Sequence, residues 1–225
     1  MNSNKKTARI AGILYLLIAI TGGFGIMYPS STIVAGDATA TAANIINSEF
    51  VFRLSILSNL VSQALMIFLV LTLSRLFKDV HPKLTKYMVV LVLVAIPISF
   101  LNVLNLAASQ MLVSEADYLS VFDANQLEAM TLFFLNLYEY GIAIVGVFWG
   151  LWLFPFGMLI IKSKFIPKII GIFLVIGCFA YLIDSFTALL FPQYKETISP
   201  IMMIPLAIGE FSTILWLLIK GVREK

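Results

Sequence analysis

Apolar residues come in six long, nearly unbroken runs along this chain: Ile10–Tyr28, Leu54–Leu76, Tyr87–Met111, Thr131–Ile161, Ile169–Phe191 and Ile201–Ile219. A helix needs about 20 mainly apolar residues to cross the hydrocarbon core of a bilayer, and each run meets or nearly meets that length. A membrane β-strand alternates apolar and polar positions; these runs do not. Backbone N–H and C=O groups in lipid must be satisfied within the protein, and a continuous apolar run does that as a helix. The pattern predicts an all-α fold, a polytopic six-helix transmembrane bundle forming one domain over residues 1–225.

The intervals between the runs differ in kind. Gly36–Glu49 (GDATATAANIINSE) opens with the capping residue Asp37 and continues rich in alanine. That predicts a short helix lying on the outer face. Ser114–Glu128 is acidic, and Asp123 is placed to cap an outward extension of the fourth helix. The inner connections are short, which predicts antiparallel hairpins. Pro97, Pro155 and Pro205 lie inside runs. Each removes one backbone donor and tends to kink its helix. Gly150, Gly157 and Gly209 allow close packing around them. The segments Arg9–Leu14 (RIAGIL) and Lys168–Phe173 (KIIGIF) look alike, but so short a likeness follows from membrane composition alone.

Composition sharpens the reading. The chain has 225 residues, 60% hydrophobic and 12% charged, with a mean hydropathy of +0.99. A soluble domain carries roughly a quarter charged residues, so lipid must cover most of this surface. The N-terminal stretch resembles a signal peptide in placing basic residues before an apolar run. Its length and the lack of an A-x-A site predict an uncleaved first span. Cys178 is the only cysteine and lies in an apolar run, so it reads as a small buried hydrophobe. His81, the only histidine, sits in a basic loop beside Pro82. One Cys and one His argue against a dedicated zinc site or a Cys–His nucleophile pair, and the chain implies no metal, cofactor or catalytic residue.

Charge sets the expected orientation. Lys5, Lys6, Arg9, Arg75, Lys78, Lys83, Lys86, Lys162, Lys164, Lys168, Lys220, Arg223 and Lys225 fall on one side of the predicted membrane, and only Arg53 and Lys195 on the other. Asp37, Glu49, Glu115, Asp117, Asp123, Glu128 and Glu196 accompany those two. Basic residues collect in the cytoplasm, so both termini are expected inside a multi-pass protein of the cell (inner) membrane. The same rule accounts for the basic residues without nucleic acid; the lipid bilayer is the expected partner.

An ionised side chain at mid-bilayer costs about 2.5–3.5 kcal/mol on insertion scales, so polar residues at depth are the informative ones. Three acids fall within the runs: Glu139 near the outer interface, Asp184 about one turn below the outer end of the fifth helix, and Glu210 near the middle of the sixth. Ser55, Asn59, Ser62 and Gln63 recur at helical spacing before an apolar stretch begins at Ala64. Ser99, Asn102, Asn105 and Ser109 share one helix face. Asn136 precedes Glu139, Ser185 and Thr187 accompany Asp184, and Ser212 and Thr213 accompany Glu210. The expectation is a polar pocket in the outer half formed by Glu210, Asp184, Arg53, Glu139, Asn102 and Asn105, with Arg53 as partner for Asp184 or Glu139. Glu210 has no evident cation and is expected to be protonated much of the time. The competing reading is that these groups only hold helices together, at about 0.6 kcal/mol per contact. The tryptophans and tyrosines read as interface anchors and packing.

The stretches ARIAGILYLL (8–17), GDATATAANI (36–45), SEFVFRLS (48–55), residues 146–186 and GEFSTILWLLIKGV (209–222) resemble a bacterial family known as domain of unknown function 4386. The most specific pieces are the loop after Gly36, the PKIIG turn and YLIDS. The resemblance implies a six-span membrane protein and places Arg53, Asp184 and Glu210 in the family pattern. It carries no activity or substrate over.

Three function classes remain. One is a non-enzymatic bundle whose pocket binds a small or lipidic ligand or a partner protein. The second is a proton-coupled secondary transporter using Glu210 and Asp184. The third is an intramembrane enzyme, which requires a carboxylate pair formed by Asp184 and Glu210. The oligomeric state does not follow from the chain.

Overall fold

The computed structural model describes residues 3–114 and 116–222. Glu115, Arg223 and Lys225, which entered the charge count, lie outside the described residues. Among the described residues every regular element is helical: α1 (Ser3–Thr32), α2 (Ala38–Asn47), α3 (Glu49–Phe77), α4 (Pro82–Leu112), α5 (Ala124–Ser163), α6 (Lys168–Leu190) and α7 (Lys195–Ile219). Short 3₁₀ turns occupy Asp117–Leu119 and Pro192–Tyr194. All but α2 are long and apolar enough to cross a membrane, which makes six candidate spans. Each predicted run coincides with one of these helices, and most helices continue past the run; α5 is 40 residues long.

Exposure shows which solvent the surface suits. On α4, Leu101 and Leu104 are 67% and 62% exposed, whereas Asn102 is 6% exposed and Ser109 is fully buried. Water would favour the opposite arrangement; lipid favours this one.

Local chemistry explains the ends of the elements. Asp37 accepts a hydrogen bond from the Ala40 amide (2.9 Å) and so caps α2 as its position predicts. Asp123 accepts from the Gln126 amide (2.9 Å) while its own amide donates to Gln126 Oε1 (3.1 Å), a reciprocal capping box that starts α5. His81 Nδ1 accepts from the Leu84 amide (3.3 Å) and the Thr85 hydroxyl donates to the Phe77 carbonyl (3.1 Å), joining α3 to α4. The histidine thus has a capping role.

The chain divides into two compact units. Unit 1 comprises Met1–Leu17, Ala64–Pro97 and Ala143–Lys225; unit 2 comprises Ile18–Gln63 and Ile98–Ile142. Helices α1, α3, α4 and α5 each give one segment to either unit.

Unit 1 is built on aromatic and glycine packing. Phe77 stacks on Phe165 (5.5 Å) and meets Phe156 edge-on (5.9 Å), Phe156 stacks on Trp152 (5.2 Å), and Trp152 touches Tyr15 (6.2 Å). Helices α5 and α6 approach at Gly157 and Gly171, where a Cβ on either glycine would lie 2.6 Å from the other's carbonyl oxygen. Without a hydrophobic drive between helices in lipid, such close backbone approach supplies the attraction. Gly12 does the same for α1 against the backbone of Leu217 and Leu218 on α7. The likeness between RIAGIL and KIIGIF thus includes a shared glycine that admits a neighbouring backbone.

Unit 2 has its own apolar core of Ile45, Phe52, Leu106, Leu135 and Tyr138, with Tyr28, Ile33 and Ile56 packed against it. The amphipathic α2 buries Ile45 there, which is what fixes this short helix in place.

Candidate functional site

The sequence-predicted site residues fall into both units. Arg53, Glu139, Asn102 and Asn105 belong to unit 2, and Asp184 and Glu210 to unit 1.

In unit 2 the polar side chains are tied mainly to backbone. Pro29 has no N–H to give the Gly25 carbonyl one turn earlier in α1. Asn59 Nδ2 (3.4 Å) and the Tyr138 hydroxyl (3.5 Å) approach that carbonyl instead, and Asn59 also donates to Tyr138 Oη at 2.9 Å. Gly25 permits this because its Cβ would fall 2.6 Å from the Asn59 amide nitrogen. Asn102 Nδ2 donates to the Tyr138 carbonyl (3.0 Å), Asn105 Nδ2 to Asn102 Oδ1 (3.0 Å), and the Ser109 hydroxyl to the carbonyls of Asn105 (3.0 Å) and Thr131 (3.3 Å). Asn102 occupies the space a Cβ on Gly141 would take, 1.8 Å from its Oδ1. These bonds join α1, α3, α4 and α5, which is the helix-holding role weighed against a pocket for Asn102 and Asn105.

Arg53 pairs with Glu49, one turn earlier on α3, at 2.7 Å, both side chains being more than half exposed. The expected partnership with Asp184 or Glu139 gives way to this local pair, because an i, i+4 neighbour on the same helix is always within reach. Gln110 Nε2 adds a long bond to the same carboxylate (3.4 Å), and its Oε1 is buried without a hydrogen-bond partner. Glu139 is half-buried and accepts from the Ser30 hydroxyl of α1. Asn136 is exposed and adds nothing to it.

Unit 1 holds a different arrangement. Asp184 of α6 accepts from the Ser199 hydroxyl of α7. Glu210 of α7, half-buried, stands in electrostatic reach of two tyrosines, Tyr15 of α1 and Tyr181 of α6. Tyr181 also feels Asp184. The Tyr15 hydroxyl turns toward the Glu210 carboxyl without closing a hydrogen bond, and it has no hydrogen-bond partner among the described residues, although Tyr15 is only 4% exposed. No ion pair reaches Glu210 among the described residues. Ser212 and Thr213 beside it donate to the Gly209 carbonyl of their own helix (3.0 and 2.7 Å) and are used up locally.

Close packing fixes the position of this cluster. A Cβ on Gly150 of α5 would lie 2.8 Å from Tyr181 Cβ, so α5 presses directly on the tyrosine. A Cβ on Gly209 would lie 3.1 Å from the Phe173 carbonyl, which sets α7 against α6 next to Glu210. That register also separates the two acids. Gly209 backs onto Phe173 and Leu174, while Asp184 meets Ser199. Asp184 therefore lies about ten residues along α6 from the level of Glu210, about 15 Å at the helical rise. A shared-proton carboxylate dyad needs direct hydrogen-bond contact, so the enzyme reading built on that pair loses its geometry.

Tyr15 and Tyr181 were read from the sequence as packing. Tyr181 does carry a signal: it precedes Asp184 by three residues, on the same face of α6. Tyr15 carries none, because its place beside Glu210 depends on how α1 packs against α7.

The model of a family described as Domain of unknown function (DUF4386) matches residues 10–221. No curated protein and no solved structure matches the chain.

Proposed function

The chain belongs to the DUF4386 family, and from that premise we propose that this multi-pass membrane protein binds a small ligand at the cluster of Tyr15, Tyr181, Asp184 and Glu210. One observation carries the reading: among the described residues the buried Tyr15 hydroxyl is turned toward the Glu210 carboxyl without closing a hydrogen bond of ordinary geometry, and no ion pair reaches that carboxyl. Leaving a buried hydroxyl unsatisfied costs about 1–3 kcal/mol, a cost that a bound ligand would offset. Lipid glue needs only amides and hydroxyls, as unit 2 illustrates. The protein acts without covalent chemistry in this reading, and both termini lie in the cytoplasm of the inner membrane, supported by the asymmetry of its lysines and arginines.

The test is a thermal-shift screen of the full chain in nanodiscs against small polar and lipidic compounds. Hits are expected to disappear in Glu210→Gln and Tyr15→Phe. Hits indifferent to both substitutions would remove the reading. Orientation is checked by labelling single cysteines placed at Lys78 and Asp117 in a Cys178→Ser background; labelling from outside belongs to position 117 alone.

The same carboxyl favours a second reading, a proton-coupled secondary transporter, because acids at membrane depth mark proton relays. Here Glu210 and Asp184 carry the proton and Tyr15 and Tyr181 stand beside them. Substituting Glu210→Gln is expected to abolish pH-dependent uptake into proteoliposomes; unchanged uptake of an identified substrate would exclude it.

A further inference from the structure

Four of the candidate spans have an end at one of two short turns in unit 1: α3 ends at Phe77 and α4 starts at Pro82, while α5 ends at Ser163 and α6 starts at Lys168. Basic residues crowd both turns. Arg75, Lys78, Lys83 and Lys86 flank the first, with Asp79 as its one acid; Lys162, Lys164 and Lys168 belong to the second, which has no acid. All of these basic side chains are exposed, and no ion pair engages any of them among the described residues. The turns are far apart in the chain, and an aromatic contact joins them: Phe77 stacks on Phe165 with ring centroids 5.5 Å apart. Lys78 follows the first ring and Lys164 precedes the second, so the two sets of cations form one patch. Lys164 holds φ at 61°, a left-handed setting that glycine adopts more cheaply than lysine. Beside the patch the surface turns apolar at once: Tyr87 and Val90 on α4 and Ile169 and Ile172 on α6 are exposed.

We propose that this patch holds an anionic phospholipid, its phosphate on the cations around Lys78 and Lys164 and its acyl chains along the apolar residues next to them. The inference is independent of the ligand reading of Tyr15 and Glu210. Three features select the partner. Cations without ion pairs, set against one acid, suit a phosphate group, which accepts from several ammonium groups at once. Both turns stand where apolar helices end, the level of lipid headgroups, and basic surfaces between span ends recognise anionic ones. A soluble phosphate would use the lysines alone; a lipid also covers Ile169 and Ile172. The general preference of lysines for one side of a membrane explains neither the joining of two distant turns through Phe77 and Phe165 nor a lysine in a backbone setting that favours glycine.

The delipidated full chain in neutral detergent, titrated with phosphatidylglycerol and with phosphatidylcholine and followed by native mass spectrometry, tests this. Phosphatidylglycerol is expected to bind more tightly than phosphatidylcholine by more than about tenfold. Lys78→Gln and Lys164→Gln each weaken it by about fivefold, and together by more than about tenfold. Lys6→Gln combined with Lys220→Gln removes the same charge from other basic segments and should weaken it by less than about twofold. Lys164→Gly separates binding from folding: its melting temperature should match or exceed that of the parent, because glycine suits a φ of 61°, while lipid affinity falls as in Lys164→Gln. Equal binding of the two lipids overturns the site. So does an equal loss in the Lys6 and Lys220 pair, which assigns the effect to general surface charge. Displacement of phosphatidylglycerol by millimolar inorganic phosphate assigns the patch to a soluble anion and also overturns it. A Lys164→Gly chain that keeps the parent's lipid affinity does the same.

Discussion

Tyr138 in unit 2 and Tyr15 in unit 1 are 1% and 4% exposed, and both sit on long apolar helices. Their hydroxyls differ. That of Tyr138 accepts from Asn59 and approaches the carbonyl that Pro29 leaves unbonded. That of Tyr15 turns toward the Glu210 carboxyl without closing a hydrogen bond of ordinary geometry among the described residues. The contrast extends to the surroundings. In unit 2 amides and hydroxyls end on backbone carbonyls, on one another or on carboxylates such as Glu139, while Gln110 Oε1 is buried without a partner among the described residues. In unit 1 Asp184 accepts from Ser199, whereas the Tyr15 hydroxyl turns toward Glu210 without closing a hydrogen bond of ordinary geometry. Polarity inside a membrane protein is therefore not one property: closed networks hold helices together, and open ones are available to something else.

Substitutions test how far that contrast goes. The largest effect is expected at Gly141, whose added Cβ would strike Asn102. Gly141→Ala should lower the unfolding free energy in detergent by about 2–3 kcal/mol. Adding Asn102→Ala should restore part of the loss, a non-additivity that a double-mutant cycle reads directly. Simple additivity would show that the amide is not what fills the space.

Tyr138→Phe removes the acceptor of Asn59 and a donor to Gly25, and should cost about 1 kcal/mol. The ion pair of Arg53 with Glu49 is exposed, so Arg53→Ala should change stability by less than about 0.5 kcal/mol, with the difference shrinking in high salt. Smallest of all is Tyr15→Phe, which deletes a hydroxyl that bonds nothing. Its melting temperature should match or exceed that of the parent, and Glu210→Gln should behave likewise, because a carboxyl at depth that no ion pair reaches among the described residues is costly to keep. If Tyr15→Phe cost as much as Tyr138→Phe, the distinction between the two units would collapse.

The helices were legible because lipid imposes a length and composition on anything that crosses it. Asp37 and Asp123 were legible because a cap is decided within four residues of sequence. The helical spacing of Asn59, Asn102 and Asn105 marked them as one side of their helices, and burial agrees. The residues they bond were not legible. Arg53 chose Glu49, the i, i+4 neighbour that its spacing on α3 places within reach, over any distant acid. Tyr15 escaped notice because a tyrosine in an apolar run looks the same whether its hydroxyl is satisfied or not.

From its sequence alone the chain determined a fold class, six apolar spans and the positions of acids too costly to bury without reason. Hydropathy and capping act along the backbone, so a one-dimensional pattern contains them. Tertiary structure decided which of those acids meet a serine hydroxyl, which stands in electrostatic reach of tyrosine hydroxyls, and that Asp184 and Glu210 lie at different levels of the α6–α7 pair. Those outcomes depend on helix register, which a few glycine contacts fix to within a turn, and register is set between helices rather than along any one of them.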